Sequence, residues 1–549
     1  MKTLFTNAKI FPDHHNTDGL PSATCLAVED SIIVHVGNQS DAEFTRFLGD
    51  GSATHVNLDG GIVAPGFVDA HVHLLQFGIS LTKTDIRACR TLDEVYRAVC
   101  VAATKDAKSP RLLFRGWLHG VTGNNVLASA LDEIDSRPIY IDSDDLHAAW
   151  CNTAALKEMG LWNEPDPEGG KIHRDETGAP SGLLEEAAVI GIVWSFLGNA
   201  MSRDEKLGCL RSAVREQSIM GYTSVVDMAM DGECWGLLQY LHSEGELPLR
   251  VAAHFLILPC KTDEENRAQV ERVAELYKSF NLATSPDLRV AGIKIVCDGV
   301  IDGCTAAISK PYLNTGRLIQ PVWNAEPLQV VLDAADEAGM QCALHAIGDA
   351  AVTLAVNGLE ALKTRGRRHR IEHLEITRPE DAKRLGELGI TASIQPVHCD
   401  PDQGNHWPAL IGHEQCSRAF AYAEFDAHGA PIAIGTDAPT APHVPWNNIF
   451  NATTRKSFRD PECGDTLNEH FKLRLRDTLK AMSYGGAYSC FAEGMLGSLE
   501  VGKKADFIII HKAGDWDSDP ASLLSSRAVS TWLGGKCVAG NPFLARTEL

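Results

Sequence analysis

The chain has 549 residues, 44% hydrophobic and 22% charged, and its 72 acidic against 50 basic side chains give a formal charge of −22. That length holds a large core and two or three domains, in a composition ordinary for a globular chain. The acidic balance argues against a nucleic-acid or anionic-membrane partner, each of which needs basic surface.

The 15 cysteines form no C-x-x-C pair and read as reduced thiols. Met1–Ile10 has no apolar signal core, and no run approaches the roughly 20 apolar residues of a membrane span. A cytoplasmic protein is expected.

The first sixty residues read as short strands, notably Leu4–Ile10 and Ser31–Gly37. Lys504–Ile510 and Val529–Leu533 resemble them at the far end, so both termini are expected to build one small sheet domain. The middle alternates β-branched runs with helical patterns. Its strands are predicted at Phe67–His73, Thr223–Met228, Val251–Leu258, Gly292–Val296, Gln341–His345, Arg370–Leu374, Thr391–Pro396 and Pro431–Asp437. Helices are predicted at Leu328–Ala338 and Pro379–Gly389. Eight βα repeats predict an α/β fold, a (β/α)8 TIM barrel. The competing doubly wound sheet would need a Gly-rich phosphate turn after its first strand, and none is present. About 150 residues separate the first two strands, far more than a βα connection needs. A large insertion, about 78–205, is therefore expected after strand 1. It holds Phe114–His119, the strand-like Arg137–Asp142 and the loop-rich Asn163–Gly170. Insertions at that end of a barrel strand project over the catalytic face, so this one is expected to cover the site.

In Val68-Asp69-Ala70-His71-Val72-His73 the two histidines lie two apart on a strand and share a face, with Asp69 one step behind. Two imidazoles facing one way can grip a metal ion, although H-x-H alone is also compatible with two polar residues at a strand end. Lys294 interrupts the apolar Gly292–Val296, where a bare ammonium is costly. It either pairs with a carboxylate such as Asp298 or reacts with carbon dioxide to a carbamate that bridges two metals, and chemistry alone favours the pair. His345 and His373, taken singly, read as buried histidines, and Asp437 as a helix cap. Together they put a ligand-type residue at the ends of the first, fourth, fifth, sixth and eighth strands, which converge on one face of a barrel.

The order H-x-H, Lys, His, His, Asp resembles the metal-dependent amidohydrolase superfamily. More closely, the chain resembles amidohydrolase family 3, the branch with N-substituted formamide deformylase-like proteins. Ala64–His73, Leu146–Asn152, Gly182–Ala187, Gly221–Asp227, His345–Asp349, Arg370–His373 and Gly497–Asp506 carry the likeness nearly end to end. The resemblance implies a barrel over residues 63–494 with a divalent metal, usually zinc, at its mouth, and a β-sandwich from residues 1–62 and 495–549. His71, His73 and Asp437 would hold the more buried metal. Lys294, as N6-carboxylysine, would bridge to a second metal held by His345 and His373, and a one-metal site is the alternative. One departure is Val296-Cys297-Asp298-Gly299 where this branch carries Phe-Ala-Asp-Gly. Cys297 is then an extra soft ligand or packing, and packing is favoured.

The implied activity is hydrolysis of a non-peptide C–N bond (amide, formamide, carbamate or lactam) in a small organic substrate. A bound metal lowers the pKa of its water from 15.7 to roughly 7, and the hydroxide attacks the carbonyl. Asp437 takes the water proton and passes it to the leaving nitrogen. His119, His147, Gln395 and His398 are candidates to hold substrate, with Glu185, Glu186 and Asp298 weaker ones. Trp117, Trp150 and Trp407 suggest an apolar pocket wall. The alternatives are a mononuclear deaminase or other barrel chemistry, against which Lys294 leans, and a non-catalytic regulator on the same fold. A homodimer is the default assembly.

Overall fold

Eight runs dense in Val, Ile, Ala and Leu become one parallel sheet, as expected of strands buried on both faces. They are Phe67–Val72, Tyr222–Met230, Arg250–Ile257, Leu288–Val296, Gln341–Ala346, Arg370–His373, Thr391–Ile394 and Ile432–Ile434. Each pairs in parallel with the next in chain order. The circle closes just past the strand ends. Asp437 N–H donates to the His71 carbonyl at 2.7 Å and His73 N–H to that of Ala438 at 3.0 Å. The protein is thus a (β/α)8 barrel. This computed structural model describes residues 2–11, 23–49, 53–123, 126–144, 146, 148–167 and 170–540.

Two units make up the chain. One comprises Met1–Leu74, Val214–Asp302 and Ala306–Leu549, the other Leu75–Ala213 and Gly303–Thr305. The first holds the barrel. The helix expected at Leu328–Ala338 runs Ala325–Glu337. The one expected at Pro379–Gly389 runs Pro379–Leu388, with proline in its first turn and Gly389 in the left-handed cap (φ 65°).

This unit also carries the terminal sheets. Four strands pair in the order Ile32–Gly37, Cys25–Glu29, Lys2–Thr6, Thr54–Asn57. Five pair in the order Lys9–Ile10, Ile62–Pro65, Phe507–His511, Arg527–Leu533, Lys536–Gly540. The two sheets share a core in which Phe5, Val28 and Val56 meet Val63, Phe507 and Trp532. The strand expected over Leu4–Ile10 is broken at Asn7, whose φ of 54° turns the chain from the first sheet into the second. The strand expected from Lys504 starts only at Phe507, because the main-chain N–H groups before it are spent elsewhere, Lys504 on the Met495 carbonyl and Ala505 on that of Ser31, and the Asp506 side chain turns to the barrel. Its carboxylate takes two bonds from Arg250 of the third barrel strand, at 2.7 and 3.0 Å.

The second unit is built on a six-stranded sheet: Gly170–Arg174, Pro180–Glu186, Ala148–Cys151, Ile139–Ser143, Leu112–Trp117 and Thr84–Asp85, in that order. Its helix Leu92–Lys105 starts with a capping box between Thr91 and Glu94. Trp117 and Trp150 lie in its apolar core with ring centroids 5.8 Å apart.

Candidate metal centre

The first barrel strand delivers His71 and His73 as its alternation requires, on one face at the strand's end. The eighth strand stops at Ile434, short of the expected Asp437, because Gly435 passes directly over the first strand. A Cβ there would sit 2.4 Å from the His71 nitrogen. The chain then leaves strand geometry, and Asp437 adopts φ 57°. His373 does the same at the end of the sixth strand (φ 76°). Such conformations cost on the order of 1–3 kcal/mol each in non-glycine residues and concentrate at functional sites. Here the main-chain bond from Asp437 to His71 holds one of them in place.

Two groups of three ligand-type side chains occur among the described residues. They are His71, His73 and Asp437, and His373, His398 and Asp437, the ligand atoms of each lying within 4.8 Å of one another. Asp437 is the shared member. Its Oδ1 is 3.4 Å from His71 Nε2 and 3.2 Å from His73 Nε2, and its Oδ2 is 3.3 Å from His398 Nε2. Both first-strand histidines turn Nδ1 away from Asp437. Nδ1 of His71 lies 2.7 Å from Glu372 Oε2, and Nδ1 of His73 lies 2.8 Å from the Met228 carbonyl. His345 packs against His373 with ring centroids 4.4 Å apart. Its Nε2 faces the Gly299 carbonyl at 3.4 Å and Asp298 at 3.6 Å, which leaves it outside both groups, while His398 stands inside one.

Lys294 is 2% exposed and its Nζ has no hydrogen-bond partner among the described residues. The expected pairing with Asp298 does not occur. Asp298 accepts instead from the main-chain N–H groups of Ala307, Ile347 and Gly348 at 2.8–3.0 Å. It is buried and anchors the loops after the fourth and fifth strands. Cys297 is fully buried, as packing requires.

The electrostatics are those of a crowded site. Burial lowers the Lys294 amine to about 8, against the pull of Glu372 and Asp437. Burial, with the Lys294 charge adding to it, lowers His71 to about 4 and His345 to about 3. Burial and the His345 ring hold His373 well below its ordinary value. Burial opposes the Asp437 carboxylate too, but His71, His398 and His73 outweigh it and keep it ionised. His73 differs from the other ligand-type histidines. Burial pulls it down, yet the Asp437 carboxylate prevails and holds the ring above the ordinary 6.5.

A prediction follows for metal uptake by the metal-free protein. At pH 6.5 and somewhat below, His73 carries a proton in more than half of the molecules while His71 and His345 are neutral, so metal binding at the first group would expel a proton. Affinity falls as pH drops below the raised His73 value, by about one decade per pH unit. Calorimetric titrations with zinc in buffers of different ionisation heat measure this. Release of two or more protons would contradict the picture of pre-neutralised ligands.

The other sequence candidates separate. His147 lies outside the described residues. Trp117 is 1% exposed, and its indole N–H donates to Thr122 Oγ1 at 3.0 Å within the second unit. Trp117 and Trp150 both lie in that unit's buried apolar cluster. The His119 ring packs on Trp117 at 4.6 Å. Glu185 pairs with His173 at 2.5 Å in the same unit. Gln395 is buried just past the seventh strand, and its Oε1 has no hydrogen-bond partner among the described residues. Trp407 stacks on Phe420 and donates to Asp302 at 2.9 Å.

Sequence reasoning passed over the supports. Asp69 is spent bracing the barrel seam. It accepts from Thr436 N–H at 2.8 Å, Thr436 Oγ1 at 2.6 Å and Gln217 Nε2 at 3.1 Å. Arg370 and Glu372, both fully buried, pair at 2.6 Å directly behind His71. Removing one partner of such a pair typically costs about 3–5 kcal/mol. The signal was available: opposite charges two apart in an apolar strand share a face and must satisfy each other.

Imidazoles and a carboxylate gathered at the C-terminal ends of barrel strands form a place that can hold a metal ion. Comparison with known proteins agrees. The amidohydrolase family pattern matches residues 54–539. The chain is 30% identical to Protein LONG AFTER FAR-RED 3 of Arabidopsis thaliana, over 97% of this chain and 91% of that one. It is 28% identical to a putative amidohydrolase, YtcJ, of Bacillus subtilis, over 93% and 95%. It is 22% identical to the N-substituted formamide deformylase of Arthrobacter pascens, over 89% and 90%. Among solved structures, an uncharacterized metal-dependent hydrolase from Pyrococcus horikoshii superposes with a TM-score of 0.76 at 24% identity, covering 95% of this chain and 98% of that one. The chain belongs to the amidohydrolase family.

The family implies a divalent metal, and the residues present fit one. Two histidines and a carboxylate are a common donor set for such an ion, and the second group offers a further place for one.

Proposed function

We propose that this protein hydrolyses a non-peptide C–N bond in a small organic molecule, an amide, formamide, carbamate or lactam. The observation that carries the reading is Asp437, ionised and shared between two ligand groups, with one oxygen toward His71 and His73 and the other toward His398. We further propose zinc as the metal. His71, His73 and Asp437 would hold one ion, and His373 with His345, whose ring packs on it at 4.4 Å, would hold a second together with a carboxylated Lys294. A metal so held supplies Lewis acidity, polarising a carbonyl oxygen and bringing the ionisation of water into the neutral range.

The chain's own residues supply the rest. Asp437 Oδ2 takes the proton of the attacking water and delivers it to the leaving nitrogen, as a general base and then a general acid. His398, 3.3 Å away, orients that oxygen. The Lys294 amine, lowered to about 8 by burial, is neutral in an appreciable fraction at physiological pH. It adds carbon dioxide with formation of an N–C bond and loss of one proton, which replaces a costly buried cation by an anion suited to metal. The family name and the deformylase relative support the C–N bond class.

The test is a panel of N-formyl and N-acyl amines, carbamates, lactams and amino-substituted heterocycles offered to zinc-reconstituted protein, with amine, carboxylate and ammonia products measured. Turnover of at least one class that chelation abolishes is expected. Release of ammonia from amino-substituted heterocycles, with no carbonyl hydrolysis anywhere in the panel, would replace this reading by deamination.

A further inference from the structure

Behind the first ligand group, the barrel interior holds a charged cluster that the hydrolytic chemistry does not itself use. Arg370 and Glu372 project inward from the sixth strand, both wholly removed from solvent. Every nitrogen of the guanidinium is engaged. Nε donates to Glu372 Oε1 at 2.6 Å, and Nη1 donates to Ser489 Oγ at 3.2 Å. Nη2 reaches the Ala70 carbonyl at 2.6 Å, Ser393 Oγ at 2.6 Å and Glu372 Oε2 at 3.1 Å. Glu372 Oε2 meets His71 Nδ1 at 2.7 Å. Arg370 therefore grips the main chain one residue before His71 and, through Glu372, the His71 ring itself.

From this geometry we infer that Arg370 and Glu372 act as a tautomer lock on His71, forcing its hydrogen onto Nδ1 so that Nε2 presents a bare lone pair to the metal. The reasoning is one of donors and acceptors. A neutral imidazole carries one N–H, and the nitrogen that binds metal cannot be the one that carries it. Glu372, held ionised by two guanidinium bonds, has only lone pairs to offer and accepts from Nδ1. The role of Arg370 is polarity: it fixes which end of its partner faces which neighbour. His73 is set the same way by a carbonyl, that of Met228, which can only accept. His71 instead meets the carboxylate of the ion pair. Both are positioning residues, acting on the metal through His71.

The inference makes an unusual prediction for paired variants. In Glu372→Gln the amide oxygen takes the shorter guanidinium bond, that of Nε at 2.6 Å, because an NH2 group there would set donor against donor more closely than at the 3.1 Å Nη2 contact. The amide NH2 then faces His71 Nδ1 and stabilises the opposite tautomer, with the hydrogen on Nε2. In Arg370→Met/Glu372→Gln that constraint is gone, and the amide turns its oxygen back to Nδ1–H. The single variant should thus bind metal worse than the double.

The experiment is a titration of the metal-free full-length chain with cobalt(II), followed by its d–d absorption, with circular dichroism to establish that each variant is folded. Cobalt affinity should fall by about 10–100-fold in Glu372→Gln, the usual effect of losing a group that orients a ligand histidine. It should recover most of that in Arg370→Met/Glu372→Gln, against the ordinary expectation that two lesions hurt more than one. A folded double variant as weak as the single one, or a folded single variant that binds like wild type, overturns the inference. So does a wild type that binds no cobalt, in which case the metal reading fails with it. Should a variant not fold, 15N spectra of the metal-free wild type, labelled at histidine and assigned by loss of signal in His71→Gln, decide the question. A hydrogen on Nδ1 of His71 is expected, and a hydrogen on Nε2 overturns the lock.

Discussion

Asp437→Asn is expected to eliminate hydrolysis, by about 10³-fold or more, in a chain that remains folded and still takes up metal. General acid–base groups contribute about 10²–10⁴-fold, and this carboxylate is also the one group shared by both ligand sets. Asparagine keeps the shape and one oxygen donor but cannot carry the proton from water to the leaving nitrogen. The fold should survive, because the Asp437 main-chain bond to His71 does not involve the side chain. A second signature goes with it. Loss of the carboxylate removes what holds the His73 ring above 6.5, so burial lowers that ring and the proton released on zinc binding near neutral pH largely disappears. Full activity in Asp437→Asn would remove the proposed proton carrier, while lost activity with unchanged proton release would make its effect merely structural.

Lys294→Ala is expected to lower the metal content of the reconstituted protein from about two ions per chain to about one, with a loss of turnover comparable to that of Asp437→Asn. The wild-type amine sits among ligand histidines and lowers the pKa values of His71, His345 and His373 together. Left as an ammonium it repels any cation placed there. As a carbamate it attracts one, so the side chain matters twice. Because Nζ forms no hydrogen bond among the described residues, removing it breaks none of theirs, and the metal-free variant should unfold at a temperature close to that of wild type. Elemental analysis of both proteins after reconstitution in bicarbonate checks this. The same single ion in both would exclude the bridge and turn the account toward a mononuclear site.

Much of this was legible in the sequence, for identifiable reasons. Parallel barrel strands are buried on both faces and appear as short apolar runs, so all eight could be placed, with errors mainly at their ends. The ends failed where backbone geometry departs from the strand. Asn7 splits one expected strand, and Asp437 lies three residues past the end of another, both at positive φ that local pattern does not reveal. The first ligand group could be read because H-x-H is local. The second was harder to read, since His398 lies on a short turn after the seventh strand, Pro396–Cys399, and no periodicity distinguishes it from a surface histidine. Asp298 went the other way. An acidic residue beside the lysine strand invites a salt bridge, but three unpaired loop N–H groups claimed it first. The Arg370–Glu372 pair was hidden for a different reason. Its members looked like a motif for family likeness, while their significance is the His71 ring 301 residues earlier in the chain.

The most direct test of the central claim is an anomalous difference map from crystals of the zinc-reconstituted wild type, collected at the zinc absorption edge. The account predicts a strong peak bounded by His71, His73 and Asp437. Crystals that show no anomalous density among those three side chains would contradict it.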